Sequence, residues 1–90
     1  MALESKTRAA LRSRAQNLSP VVMVGHDGLS EGVIEALNKA LDDHELVKVR
    51  FQDFKENTKT LSQELEKATG SDLVATTGFT AVFYRRTKQN

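Results

Sequence analysis

The segment Gly25-His26-Asp27-Gly28 is where backbone and side-chain chemistry meet in this 90-residue chain. It lies between an apolar run, Val21 to Val24, and Ser30, a residue type that caps helix starts, so its N–H groups can face an anion at a helix N-terminus. Two glycines let a second backbone, such as a sugar-phosphate chain, approach closely. The competing reading is an ordinary strand-to-helix turn, because many such turns hold two glycines. The segment is neither a triphosphate loop, since GxxxxGK[ST] is absent, nor the G-x-G-x-x-G dinucleotide fingerprint.

Other polar groups do not assemble into a reaction centre. His26, Asp27 and Ser30 offer a base, a carboxylate and a hydroxyl, but neighbours in one turn seldom converge on one reacting atom, and no GxSxG elbow is present. His44, between Asp43 and Glu45, suits a helix C-terminus better than a metal, for which spaced partner ligands are missing. There is no cysteine, hence no disulfide and no thiolate site. The chain is expected to have no catalytic residues, no metal, no cofactor and no small-molecule substrate.

Its cations are segregated. Residues 1–20 carry Lys6, Arg8, Arg12 and Arg14 against Glu4 alone; residues 21–84 carry six basic and eleven acidic side chains; residues 85–90 carry Arg85, Arg86 and Lys88 with no acid. Basic ends around an acidic middle are a footprint for a polyanionic partner, although basic tails can also serve solubility alone. Lys48 and Arg50 alternate with Val47, Val49 and Phe51, so a strand would put both cations on the face opposite the apolar residues. Of the aromatics, Phe51 and Phe83 read as core. Phe79 reads as an exposed hairpin tip that can stack on a base. Phe54 and Tyr84 fall in no RNA-recognition-motif signature.

The elements that must position these groups follow from pattern. Leu3, Thr7, Leu11, Ala15 and Leu18 form a mostly apolar stripe that predicts a helix over about residues 4–17, stopped by Ser19-Pro20. Val21–Val24 predicts a buried strand whose all-apolar character calls for cover on both faces, with the first helix as the candidate cover. A second helix runs from about Glu31 to Asp43, burying Val33, Ile34, Leu37, Ala40 and Leu41. Leu46–Phe51 is a strand. A third helix spans about Thr58–Thr69, with Leu61, Leu65 and Ala68 inward and Gly70 as its stop. Leu73–Thr77 and Thr80–Tyr84 are strands joined by Gly78-Phe79, a pair suited to a type II′ turn. The order α-β-α-β-α-β-β predicts an α/β chain of the α+β two-layer kind, a four-stranded mixed sheet packed with three helices.

Ninety residues make one domain, here 1–90 with a basic flexible tail from about 85. The apolar share of 39% and charged share of 28% are those of a soluble globular protein. No apolar run approaches the roughly 20 residues of a membrane span, and the charged N-terminus is no signal peptide. A soluble, cytoplasmic monomer without a membrane partner is expected.

The blocks LSPVVMVGHDGLSEGVIEAL, HELVKVRF and TGFTAVFYRRTK, at their spacing, resemble the CRM (chloroplast RNA splicing and ribosome maturation) domain, and the stand-alone bacterial YhbY-like RNA-binding proteins in particular. The resemblance runs from about Leu3 to Lys88. It implies a fold like the C-terminal domain of translation initiation factor three, with sheet order 1-2-4-3 and the last strand antiparallel to the others. It also implies that Gly25–Gly28 is an RNA-contacting GxxG loop, and that the partner is ribosomal RNA in precursors of the large subunit during ribosome assembly. Family loops often carry a basic residue between the glycines, where this chain has His26-Asp27, so binding is expected to fall more heavily on the terminal basic residues. The site expected from sequence is thus Gly25, His26 and Gly28 with Lys6, Arg8, Arg12, Arg14, Lys48, Arg50, Arg85, Arg86 and Lys88, the helix-1 cations, the loop and the tail lining one surface. The rival reading is a protein-interaction module whose acidic middle, Asp42, Asp43 and Glu45, docks on basic ribosomal proteins or an assembly factor.

Overall fold

The computed structural model describes residues 4–26, 28–53 and 57–86. Leu3, Asp27, Phe54 and Lys88 lie outside the described residues. Along the chain come α1 (Ser5–Ala15), β1 (Val22–Val24), α2 (Glu31–His44), β2 (Leu46–Phe51), α3 (Thr58–Thr69), β3 (Asp72–Thr77) and β4 (Thr80–Tyr84). The sheet order is β1-β2-β4-β3. β1 and β2 are parallel, and β4 runs antiparallel to both of its neighbours, as the resemblance implies.

Strand β2 organises the packing. Its side chains alternate between faces, and Val47, Val49 and Phe51 all point toward α2 and α3. There they join Val22, Val24, Ala81 and Phe83 from the other strands and Leu37, Leu41 and Leu65 from the helices. Phe51 and Phe83 are fully buried, each contributing about 1.5–3 kcal/mol of transfer free energy. On the opposite face, Leu11 and Ala15 of α1 pack on Leu46, Val74 and Val82. The sheet and the α2–α3 layer form the two-layer body, and α1 adds a partial third layer behind it.

Local chemistry sets the element ends. The Ser30 hydroxyl accepts from the Val33 N–H at 3.2 Å and starts α2. Gly70, with φ 65°, stops α3. Thr77 pairs with Thr80 across the hairpin, and Gly78 has φ 56° while Phe79 stays out of the positive region, as a type II′ turn requires.

Three expectations need correction. In α1, only Leu11 and Ala15 of the anticipated stripe are buried, because the helix stops at Ala15 and is rotated so that Arg8 takes the inward place expected of Thr7. Leu18 falls beyond the helix and is 38% exposed. In β1, the outward face is not covered: α1 reaches β2, β4 and β3 but leaves Val21 and Met23 57% and 56% exposed. In α3, Ala68 is exposed and Leu61 half-buried. The inward face is Thr58, Ser62, Leu65 and Thr69, at helical spacings of four, three and four.

The residue expected to begin a flexible tail is held firmly. Arg85 donates from Nη1 to Asn38 Oδ1 (2.7 Å) and to the Thr69 carbonyl, and from Nη2 to the Asn38 carbonyl (2.9 Å) and Asp42 Oδ1 (2.9 Å). It therefore ties the C-terminal part of α2 to that of α3. Hydrogen bonds from a charged donor are worth about 1.5–3 kcal/mol, so Arg85→Ala is expected to lower the unfolding free energy by about 2 kcal/mol in urea titration. Ser62 is the opposite case: fully buried, with an Oγ that has no hydrogen-bond partner among the described residues. Ser62→Ala removes that uncompensated hydroxyl and favours the helix, and the same titration should show a gain of up to about 1 kcal/mol.

Candidate functional site

Four cations share the α1 side of the sheet. Arg12 and Arg14 stand in the last turn of α1, where positive charge suits the helix dipole. Lys48 and Arg50 project from β2 on the face that α1 only partly covers, about 7 Å apart by strand spacing. Lys48 is half-buried beside Val82, its register partner on β4; Arg50 is exposed between Met23 of β1 and Thr80 of β4. None of the four makes a hydrogen bond or ion pair from its side chain among the described residues; the ion pairs there are His26–Asp53 and Arg85–Asp42.

Two open grooves flank the end of α1 and share Lys48. One, of about 350 Å³, has Leu46 at its base, Leu18 and Val21 as walls, and Arg14, His44 and Lys48 at its rim. The other, of about 290 Å³, lies between Arg12 and Gln16 of α1 and Ala75, Thr77 and Thr80 of the β3–β4 hairpin. The apolar members Leu18 and Val21, and Met23 nearby, were not legible as site residues. In sequence they read as helix stripe and buried strand, and only the short reach of α1 exposes them.

The glycine loop lies at the Arg50 end of the sheet. The Gln52 N–H donates to the Val24 carbonyl at 2.8 Å, which fastens the end of β1 to the end of β2 just below the loop. The Gly28 N–H donates to the Gly25 carbonyl at 3.0 Å, and Gly28 has φ 74°, a value that side chains rarely tolerate. A Cβ on Gly25 would meet only Gln52 Oε1 at 3.7 Å, an ordinary contact, so the fold itself leaves room for one. His26 Nδ1 is paired with the Asp53 carboxylate, and the Gln52 side-chain amide nitrogen lies 3.3 Å from His26 Nε2. One neutral tautomer satisfies both contacts, Nδ1–H donating to Asp53 and Nε2 accepting from Gln52. With Asp53 here and Glu31 in the first turn of α2, the positive charge lies on the sheet face below the loop and not on the loop itself.

The fold thus puts Arg12, Arg14, Lys48 and Arg50 on the α1 side of the sheet, with Arg14 beside the start of β1 and β2 and Gly25, His26 and Gly28 at the far end of those strands beyond Arg50, and it does not build the single surface expected of helix 1, loop and tail. Arg8 is half-buried and donates from Nη1 to the carbonyls of Leu73 and Val74 (3.2 Å to the latter), at a bulge in β3. Arg85 lies at the end of the sheet away from the loop, on the α2–α3 side. Lys6, at the start of α1, and Arg86, just after β4, are exposed. Phe79, 37% exposed, stands at the loop end, where its carbonyl accepts from the Phe51 N–H at 2.7 Å. Among the described residues no group of histidines and carboxylates could hold a metal ion, and no helix is long and apolar enough to cross a membrane.

Comparison with known proteins places this geometry. The family model for the CRS1/YhbY (CRM) domain matches residues 3–85. The chain is 36% identical over 89 residues to the "Probable RNA-binding protein YqeI" of Bacillus subtilis, covering 98% of this chain and 93% of that one. It is 38% identical over 87 residues to the "Probable RNA-binding protein PA4753" of Pseudomonas aeruginosa, covering 96% and 84%. The solution structure of the hypothetical protein SAV1595 from Staphylococcus aureus superposes with a TM-score of 0.86 at 36% identity, over 98% of this chain and 93% of that one. With the family model spanning nearly the whole chain and relatives at 36% and 38% identity matched over almost all of it, the protein is a member of the CRS1/YhbY (CRM) domain family.

Proposed function

We propose that this protein binds RNA through the α1 side of its sheet, with Arg12, Arg14, Lys48 and Arg50 on phosphates and the Gly25–Gly28 loop against the sugar-phosphate backbone at one end. The observation that carries the reading is the set of four side-chain cations on one face without a partner among the described residues, while Arg8 and Arg85 are engaged within the fold. An unpaired cation keeps its full capacity for phosphate, and each phosphate neutralised releases condensed counterions. The names of the relatives support RNA as the partner. The family resemblance supports the narrower reading: ribosomal RNA in precursors of the large subunit, bound by a cytoplasmic monomer during assembly. The names of the relatives also support a protein that acts by binding.

Filter binding to ribosomal RNA fragments across a salt series tests the charge argument. Four phosphate contacts to single-stranded RNA predict a log–log slope of about −3. Arg12→Glu with Arg14→Glu should weaken binding at least tenfold, while Lys67→Glu on exposed α3 changes little; salt-independent binding would favour docking on a basic protein through the acidic α2 residues instead. Gly25→Ala separates loop from scaffold, with an unchanged melting temperature and weaker RNA binding as the expected pair of results. Crosslinking in cells, with sequencing of the attached RNA, should return large-subunit ribosomal RNA; recovery of messenger or transfer RNA alone would overturn the ribosomal part of the reading.

A further inference from the structure

We infer that the groove between the end of α1 and the start of β1 receives one unpaired RNA base, its flanking phosphates held by Arg14 and Lys48; this rests on RNA binding by the face described above. Phosphate contact alone gives no reason for the groove's walls. Leu18 and Val21 are 38% and 57% exposed, side by side with cations that have no partner among the described residues. A paired A-form helix presents phosphates and 2′-hydroxyls to a protein and keeps its base faces stacked inside, so exposed aliphatic walls gain nothing from it. An unstacked base brings an apolar face that fits between them.

The groove's size and chemistry match that occupant. At about 350 Å³ it lies near the lower end of the roughly 300–1,000 Å³ typical of ligand sites, room enough for a base. Arg14 provides a planar guanidinium whose paired donors suit one flanking phosphate, and Lys48 is a point charge suited to the other. The Ser19 hydroxyl and the His44 ring, both lining the groove, offer hydrogen bonds to a base edge. Because Lys48 also borders the second groove, a strand leaving the base site crosses that ammonium and reaches Arg12, Gln16 and the threonines Thr77 and Thr80. These are polar groups suited to ribose and phosphate. The protein should therefore prefer unpaired RNA segments to duplex, and the preference should reside in Leu18 and Val21, not in the cations.

The test is fluorescence anisotropy with a short unstructured RNA, the same RNA paired to its complement, and the same RNA with abasic nucleotides. The wild type should bind the unstructured RNA about tenfold more tightly than the duplex or the abasic strand, the loss of one base contact. Leu18→Ser with Val21→Ser should remove that tenfold preference and leave duplex binding unchanged. Both positions are exposed, so the variant should melt like the wild type; if it does not, Val21→Thr, which keeps the side-chain shape, is read in its place. Equal binding of abasic and intact strands, or a serine variant that keeps the preference while Arg14→Glu loses affinity for every RNA, overturns the base site and leaves RNA binding standing. Unaltered binding of all three RNAs by Arg14→Glu with Lys48→Glu would instead remove the RNA-binding face itself.

Discussion

Strand β2 lies between unequal neighbours, and most of this molecule follows from that asymmetry. Its inward side chains, Val47, Val49 and Phe51, are sealed under a full helical layer and supply much of the main core. Its outward side chains meet a single short helix that buries Leu46, half-covers Lys48 and leaves Arg50 in water. A sheet covered fully on both faces would have no place for cations at these positions, since burying an unpaired charge costs several kcal/mol. A sheet left fully open would have no groove. Partial cover by α1 gives both a folded scaffold and a concave, positively charged face.

Side chains of one type do different work here because their surroundings differ. Arg8 and Arg85 are drawn into the protein, where main-chain carbonyls lie in reach of a guanidinium. The bulge in β3 interrupts the ladder next to Arg8, and Arg85 reaches the Asn38 carbonyl within α2 and the Thr69 carbonyl that the end of α3 leaves open. Both arginines are stabilising parts of the fold. Arg12 and Arg14, a turn farther along the same helix as Arg8, face no such acceptors and keep their donors for a ligand. A guanidinium's five donors suit either task, and geometry alone assigns it.

Charge is arranged by layer. The helical layer on the far side carries Glu31, Glu35, Asp42, Asp43 and Glu64 against Lys39, Lys59 and Lys67, all exposed, while the α1 side carries Arg12, Arg14, Lys48 and Arg50, without partners among the described residues. A chain of net charge +1 thereby becomes a dipole that presents one face to a polyanion and turns the other away from it. The His26–Asp53 contact fits this division. It fastens the glycine loop to the segment after β2 and places a carboxylate beside the loop.

Much of the scaffold was legible in the amino-acid sequence, because local rules and burial agree there. The alternation of Val47, Val49 and Phe51, the Ser30 cap, the Gly70 stop and the Gly78-Phe79 turn each express a preference that depends on near neighbours along the chain. The cations at Lys48 and Arg50 were placed on the correct face for the same reason. What the sequence left undecided is every property set by the reach of one element over another. Whether α1 extends across β1, whether Arg8 or Thr7 points inward, and whether Arg85 is a tail residue or a clasp all depend on contacts between elements distant along the chain, such as Arg8 with Leu73 and Arg85 with Asn38. Those contacts carry no periodic signature in the chain. Only the tertiary structure made Leu18 and Val21 into groove walls, because apolar residues are read as core until the packing shows nothing above them.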